Sequence, residues 1–167
     1  LLLSGYLVFK SLESISPLDG RYSADIKELS AYFSEAALMR YRIYVEVEYL
    51  IALSYEKKIT DLSAFTKNQV EKLRKIYQTF DMSSAQKVKK IEMTTNHDVK
   101  AIEYYIQQKT RKDLHPWIHF SLTSEDVNNL AYSLMLQHGI NQAYLPALKS
   151  VQKELKKIAK KFRSSPM

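Results

Sequence analysis

Leu148-Lys149-Ser150-Val151-Gln152-Lys153-Glu154-Leu155-Lys156-Lys157-Ile158-Ala159-Lys160-Lys161-Phe162 is the stretch whose reading decides the fold class. Its apolar residues Leu148, Val151, Leu155, Ile158 and Phe162 advance by alternating steps of three and four. An α-helix turns once in about 3.6 residues, so these side chains form one stripe, the seam of a helical bundle. The helix is expected from about Asn141 to Phe162, with Pro166 as a stop beyond it. No other segment offers a seam of equal length. The stripe is therefore expected to pack against protein that follows, or against other subunits.

The same logic extends upstream. Val127, Leu130, Ala131, Leu134 and Met135 form an i, i+3, i+4 stripe on a helix that opens at Thr123 or Ser124. Glu125 and Asp126 suit its positive first turn, and Gly139 is expected to end it as a C-cap. Residues 110–118, with Pro116, read as a polar link. A domain boundary is placed there, between an N-terminal helical domain at 1–117 and the start of a central helical-bundle domain at 118–167. Further helices are expected over Ala24–Phe33, from Ser34-Glu35 to about Tyr55, from a Thr66/Gln69 capping box to about Phe80, from Ser84 to about Met93, and from Asn96 or His97 to about Lys109. Leu38, Tyr41, Val45, Tyr49 and Ala52 lie round much of the helix ending at Tyr55, so it should be buried on more than one side. Residues 11–22 read as a loop, with turn chemistry at Ser16-Pro17-Leu18-Asp19-Gly20. The reading is all-α.

Composition agrees. In 167 residues, 46% are hydrophobic, which can fill a core and excludes a disordered tail, while only 3 Gly and 4 Pro favour long helices. The absence of Cys excludes a disulfide framework and a thiolate metal site, and fits a reducing compartment. A net charge of +7 favours partners that carry phosphate: nucleic acid, nucleotides or an acidic membrane surface. The lysines are spread through the helices and read mostly as solvated faces. Leu1–Phe9 is apolar but too short to span a bilayer, and lacks the basic start and cleavage site of a signal peptide. It is read as a tag remnant or an arm that packs on a neighbouring subunit.

Three polar clusters carry chemistry. Asp19-Gly20-Arg21-Tyr22 reads either as a turn with surface side chains or as a loop offering a guanidinium and a phenol to a phosphate; spacing alone favours the turn. Thr94-Thr95-Asn96-His97-Asp98-Val99-Lys100 reads either as an Asn N-cap with acids in the first turn, or as a site in which His97 carries a proton or holds a phosphate. His119-Phe120-Ser121-Leu122-Thr123-Ser124 reads either as an ordinary N-cap or as a carboxylate cradle of two hydroxyls and helix N–H groups. His115 and His138 read as a linker residue and a helix-end residue. Position 101 is Ala, so His97 has no second His at i+4, and no metal site is expected. There is no Gly-rich phosphate loop and no Ser-centred nucleophile elbow.

Together these segments resemble the adenylosuccinate lyase family of the fumarase/aspartase superfamily. The match is carried by Ser16-Pro17-Leu18-Asp19-Gly20-Arg21-Tyr22, by Thr94-Thr95-Asn96-His97-Asp98-Val99-Lys100-Ala101-Ile102-Glu103-Tyr104, and by Ile118-His119-Phe120-Ser121-Leu122-Thr123-Ser124-Glu125-Asp126-Val127-Asn128-Asn129-Leu130. It extends over roughly residues 14 to 167. The resemblance implies a β-elimination without a cofactor: adenylosuccinate gives AMP and fumarate, and a related succinylated ribotide gives its carboxamide and fumarate. It implies a cytoplasmic homotetramer with shared active sites, acting on a nucleotide and on neither nucleic acid nor membrane. By position, Arg21 and Tyr22 would contact the nucleotide, and Asn96 and Asp98 would line the substrate site. His97 would assist through charge or proton transfer, His119 would match a further site His, and Thr123 and Ser124 would hold a carboxylate of the fumarate half. The family's general-acid His, in a Thr-His-Gly-Gln segment, its catalytic Ser loop and its Met-Pro-x-Lys signature have no match here. The expectation is an N-terminal piece that does not turn over alone. The alternative from another class is a basic all-helical module that binds nucleic acid or protein without catalysis.

Overall fold

A computed structural model describes residues 13–165, and among them every regular element is helical. The helices are α1 (Glu35–Tyr55), α2 (Lys67–Gln78), α3 (Met82–Thr95), α4 (Asp98–Gln107), α5 (Ser124–Gly139) and α6 (Leu145–Lys161). The all-α class is thus the one observed. The apolar arm and the Pro166 stop lie outside the described residues. No described helix is long and apolar enough to cross a membrane.

Two compact units emerge. One is Glu35–His138; the other holds the described residues before and after it. The boundary expected near residue 117 falls inside the first unit.

In the first unit α1 is the organiser. Ile43, Val47 and Leu50 share a core with Leu73 of α2, Val88 of α3, and Ile102 and Ile106 of α4. Ala37, Tyr41 and Val45, on another face of α1, pack with Val127, Ala131 and Met135 of α5. A helix buried on two sides needs apolar residues round its circumference, which is the pattern its sequence shows. Each such side chain taken out of water contributes about 1.5–3 kcal/mol.

The caps explain the boundaries. Thr66 Oγ1 accepts the Gln69 N–H at 3.4 Å, and Gln69 Oε1 accepts the Thr66 N–H at 2.8 Å, so the expected capping box is present. Thr66→Ala should lower stability by about 1 kcal/mol, readable as a shifted urea midpoint. Asp81 accepts the Ser84 N–H at 2.8 Å, so α3 starts two residues before the expected Ser84. A 3-10 segment, Lys112–Trp117, occupies most of the expected polar link.

Two expectations are corrected in the second unit. The helix expected over Ala24–Phe33 is only a 3-10 turn, Lys27–Leu29, and one helical turn, Ser30–Phe33. Consecutive turns run up to Ile26: Asp19 Oδ1 accepts the Ser16 N–H at 2.9 Å, the Tyr22 N–H bonds Pro17 O at 2.9 Å, and the Asp25 N–H bonds Tyr22 O at 3.0 Å. Nor is Gly139 a left-handed cap. Its φ is −60°, and the chain passes through π turns at Ile140–Tyr144 into α6. Pro146, which lacks an N–H and would crowd the carbonyl four residues back, accounts for the wider turn. Gly139 instead leaves room for the Phe33 ring, which a Cβ there would strike. On α6 the expected seam is formed and lies open, Leu155 being 59% exposed and Val151 56%.

Candidate functional site

Asn96 and His97 are the joint between α3 and α4. Asn96 takes the left-handed conformation, φ 52°, and its N–H bonds Glu92 O at 2.7 Å, so it closes α3 and does not open α4. Asn reaches this region more easily than most residues. His97 is the cap of α4: its Nδ1 accepts the Lys100 N–H at 3.2 Å. That bond assigns the proton of the neutral ring to Nε2. Glu92, Met93, Asn96, His97 and Asp98 line an open pocket of about 510 Å³. His97 therefore combines a structural bond at one nitrogen with a free polar edge at the other.

The residues that organise this corner are Arg42 and Glu46, one turn apart on α1 and both buried. Arg42 Nη2 pairs with Asp98 Oδ2 at 2.7 Å, and its Nε donates to Asn128 Oδ1 at 2.9 Å. Asn128 in turn donates to Glu125 Oε1 at 2.9 Å. One guanidinium thus ties the start of α4 to the first turns of α5, bringing the segments of His97 and Ser124 together. Burial works against the Asp98 charge, but the Val99 N–H and Arg42 outweigh it and hold this carboxyl below its usual range.

Glu46 grips the third cluster. Its Oε1 lies 2.5 Å from His119 Nδ1, and its Oε2 accepts the His119 N–H at 3.1 Å. His119 and Ser121 are both left-handed, with φ of 61° and 58°. The Tyr49 hydroxyl donates to Phe120 O at 3.0 Å, fixing the loop between them. Across the ring, His119 Nε2 stands 3.9 Å from Glu103 Oε1, and Glu103 Oε2 is held by Lys100 Nζ at 2.7 Å. Burial pushes the Glu46 carboxyl up, against the hydrogen bond from His119.

The two carboxyls give opposite pH signs. Asp98 contributes stability that is present above the ordinary carboxylate range and is lost as acid reaches its depressed value. Glu46 does the reverse: its ionisation lowers stability as pH rises past about 4.5, the ordinary value. Asp98→Asn should therefore show a shallower fall in urea midpoint on acidification below about pH 4 than the parent chain.

Thr123 is already engaged. Its N–H and its Oγ1 both donate to Asp126 Oδ2, at 2.7 and 2.8 Å. These two Thr123 bonds hold the Asp126 carboxyl below its usual range. Ser124, half-buried, follows as the first residue of α5. Arg21 and Tyr22 belong to the other unit and are exposed, with the guanidinium 5.3 Å from the Tyr22 ring centre. Among the described residues no three His, Asp or Glu side chains are placed to hold a metal ion.

Reading the sequence missed Arg42, Glu46, Glu103 and Asn128. The available signal was a pair of opposite charges, Arg42 and Glu46, at i, i+4 on a helix that is apolar on much of its circumference. Charged residues are almost never fully buried unless paired, so two of them inside such a helix point to partners elsewhere.

The comparisons with known proteins follow the same segments. A family profile described as Lyase matches residues 20–167. An adenylosuccinate lyase of Dictyostelium discoideum is 44% identical over 165 residues, 94% of this chain and 35% of that protein. Adenylosuccinate lyases of Escherichia coli and Haemophilus influenzae are 38% and 37% identical over 162 residues, each across 94% of this chain and 36% of the relative. The chain thus spans about a third of the length of these curated relatives. With its profile match running from the Asp-Gly-Arg-Tyr loop through α6, and with relatives similar over nearly its whole length, this chain belongs to the lyase family.

Proposed function

We propose that this chain supplies one share of an adenylosuccinate lyase site, in which adenylosuccinate is cleaved to AMP and fumarate and the related succinylated ribotide to its carboxamide and fumarate. The observation that carries the reading is the buried Arg42, which binds the Asn96-His97-Asp98 corner and the first turns of α5 to one guanidinium. In the proposal Asn96 and Asp98 line the substrate, and His97 moves a proton or stabilises charge. His119 faces the substrate. The hydroxyl of Ser124 receives a carboxylate of the succinyl half at the positive end of α5, and that of Thr123 joins it by exchanging its bond to Asp126 for one to the substrate. Arg21 and Tyr22 contact the nucleotide, a guanidinium being suited to phosphate. A base removes the Cβ proton, the C–N bond breaks and the amine nitrogen receives a proton; fumarate leaves.

The 167 residues contain no match to the general-acid His or the catalytic Ser segment that the family resemblance implies. The chain by itself is therefore proposed to bind without turning over. Titrating AMP and fumarate into the ¹⁵N-labelled 167-residue chain tests the binding half. Amide shifts centred on Arg21, His97 and Ser124 are expected, and shifts confined to the lysine faces would overturn the reading. Enzyme-like fumarate release by the same chain would overturn the second half.

A second reading has one observation in its favour. Lys149, Lys153, Lys156, Lys157 and Lys160 line one side of α6, as a nucleic-acid-binding helix would require. Steeply salt-dependent binding to RNA or DNA, with no response to AMP, would select it.

The homotetramer is part of the proposal and is supported by the open seam of α6. Leu155→Glu places a charge in that seam. It is expected to shift the protein to lighter species in sedimentation while its helical circular dichroism is kept.

A further inference from the structure

We infer that Glu46 is a positioning residue: its carboxylate fixes the His119 ring with the proton on Nδ1, leaving Nε2 as the ring atom open to a ligand. The inference deepens the proposed reading, on which it rests only for the statement that His119 meets substrate.

Three observations carry it. Glu46 is 1% exposed, and its two oxygens face two donors of one residue, the backbone N–H at 3.1 Å and Nδ1 at 2.5 Å. A carboxylate can accept both, whereas a protonated Glu46 would have to give up one of them. Second, His119 holds a left-handed backbone, φ 61°, which a residue with a bulky side chain keeps only where its surroundings over-determine it. Here ring and backbone are tied to the same carboxylate. Third, Nε2 is not used up. Its nearest acid, Glu103 Oε1, is 3.9 Å away, beyond hydrogen-bond range, and Glu103 is occupied by Lys100. If Nε2 takes a proton, the resulting imidazolium stands between Glu46 and Glu103, so the charge meets a carboxylate on each side.

The two histidines then present opposite faces. The Lys100 N–H on Nδ1 of His97 leaves that ring offering an Nε2–H, a donor. Glu46 on Nδ1 of His119 leaves that ring offering a bare Nε2, an acceptor. Two environments that set two identical side chains apart are the usual means of assigning acid and base roles.

Long-range ¹H–¹⁵N NMR on the ring-labelled 167-residue chain reads the tautomers directly. For neutral His119 the expected pattern is a protonated-type Nδ1 and an unprotonated-type Nε2, with the reverse at His97. In Glu46→Gln the Nδ1–H form of His119 should fall from the dominant to the minor tautomer while His97 is unchanged. A His119 proton found on Nε2 in the parent chain would overturn the inference, as would a tautomer unaltered in a Glu46→Gln chain that keeps its helical circular dichroism. If Glu46→Gln does not fold, the parent tautomer decides alone. These readouts need no ligand, so the expected tautomer together with no response to AMP or fumarate would sink the proposed function and leave this inference standing.

Discussion

His97→Asn is expected to lower kcat for adenylosuccinate cleavage by about 10²- to 10⁴-fold, measured in the whole protein that carries these residues. Asn is chosen because it is among the best N-caps, so its Oδ1 can take over the Lys100 N–H that His97 Nδ1 now accepts. Helix α4 should therefore keep its start, and the open pocket beside His97 its shape. What the substitution removes is the Nε2–H edge beside Asn96 and Asp98. A positioned proton carrier contributes in the transition state more than in the ground state, so the loss should fall on kcat with KM changed only a few-fold. A variant with kcat close to the parent's would show that His97 is a cap and nothing more. A rise in KM at constant kcat would make it a binding residue.

Arg42→Ala is expected to destabilise the chain by about 2–4 kcal/mol, measured by urea unfolding. The guanidinium is 6% exposed and holds Asp98 at 2.7 Å and Asn128 at 2.9 Å. Removing it strands both acceptors and leaves a gap beside α1. Asp98 is half open to solvent, which keeps the estimate below that for a fully buried pair. Arg42→Lys should recover only part of the loss. An ammonium can reach one of the two acceptors but lacks the forked geometry that reaches both. If Arg42→Ala unfolded at the parent's midpoint, the tie between the α4 start and α5 would not be a stabilising one, and the observation that carries the proposed function would go with it.

Helices α1, α2 and α6 were legible because local rules suffice for them. The Thr66/Gln69 box, the apolar circumference of α1 and the three-four stripe of α6 each report on neighbours within one or two turns. The Ala24–Phe33 segment shortened for a local reason as well: consecutive turns run from Pro17 to Ile26, and regular helix begins only at Ser30. Gly139 was misread because glycine has two uses, and only the position of the Phe33 ring shows that small size, not a positive φ, is the one in force here. The π turns before α6 had a signal, Pro146, which sits in the first turn of α6 and cannot donate to the carbonyl four residues back.

At the candidate site the division is sharper. His97, Asp98, His119 and Ser124 stood out because polar residues crowd two helix starts. Arg42, Glu46, Glu103 and Asn128 did not, because each lies inside a helix, where charge usually means a solvated face.

By itself the sequence determined the helical class, most helix starts and the polar clusters that resemble a lyase, since periodicity and capping act within a few residues. Only the tertiary structure decided which charges are buried and which nitrogen of His119 is left open. Those are settled by partners 56 to 86 positions apart along the chain, as in Arg42 with Asp98 and with Asn128, or Glu46 with His119 at 73. Burial in a medium of low polarity makes such pairings costly to leave unmet, and no short-range pattern records them.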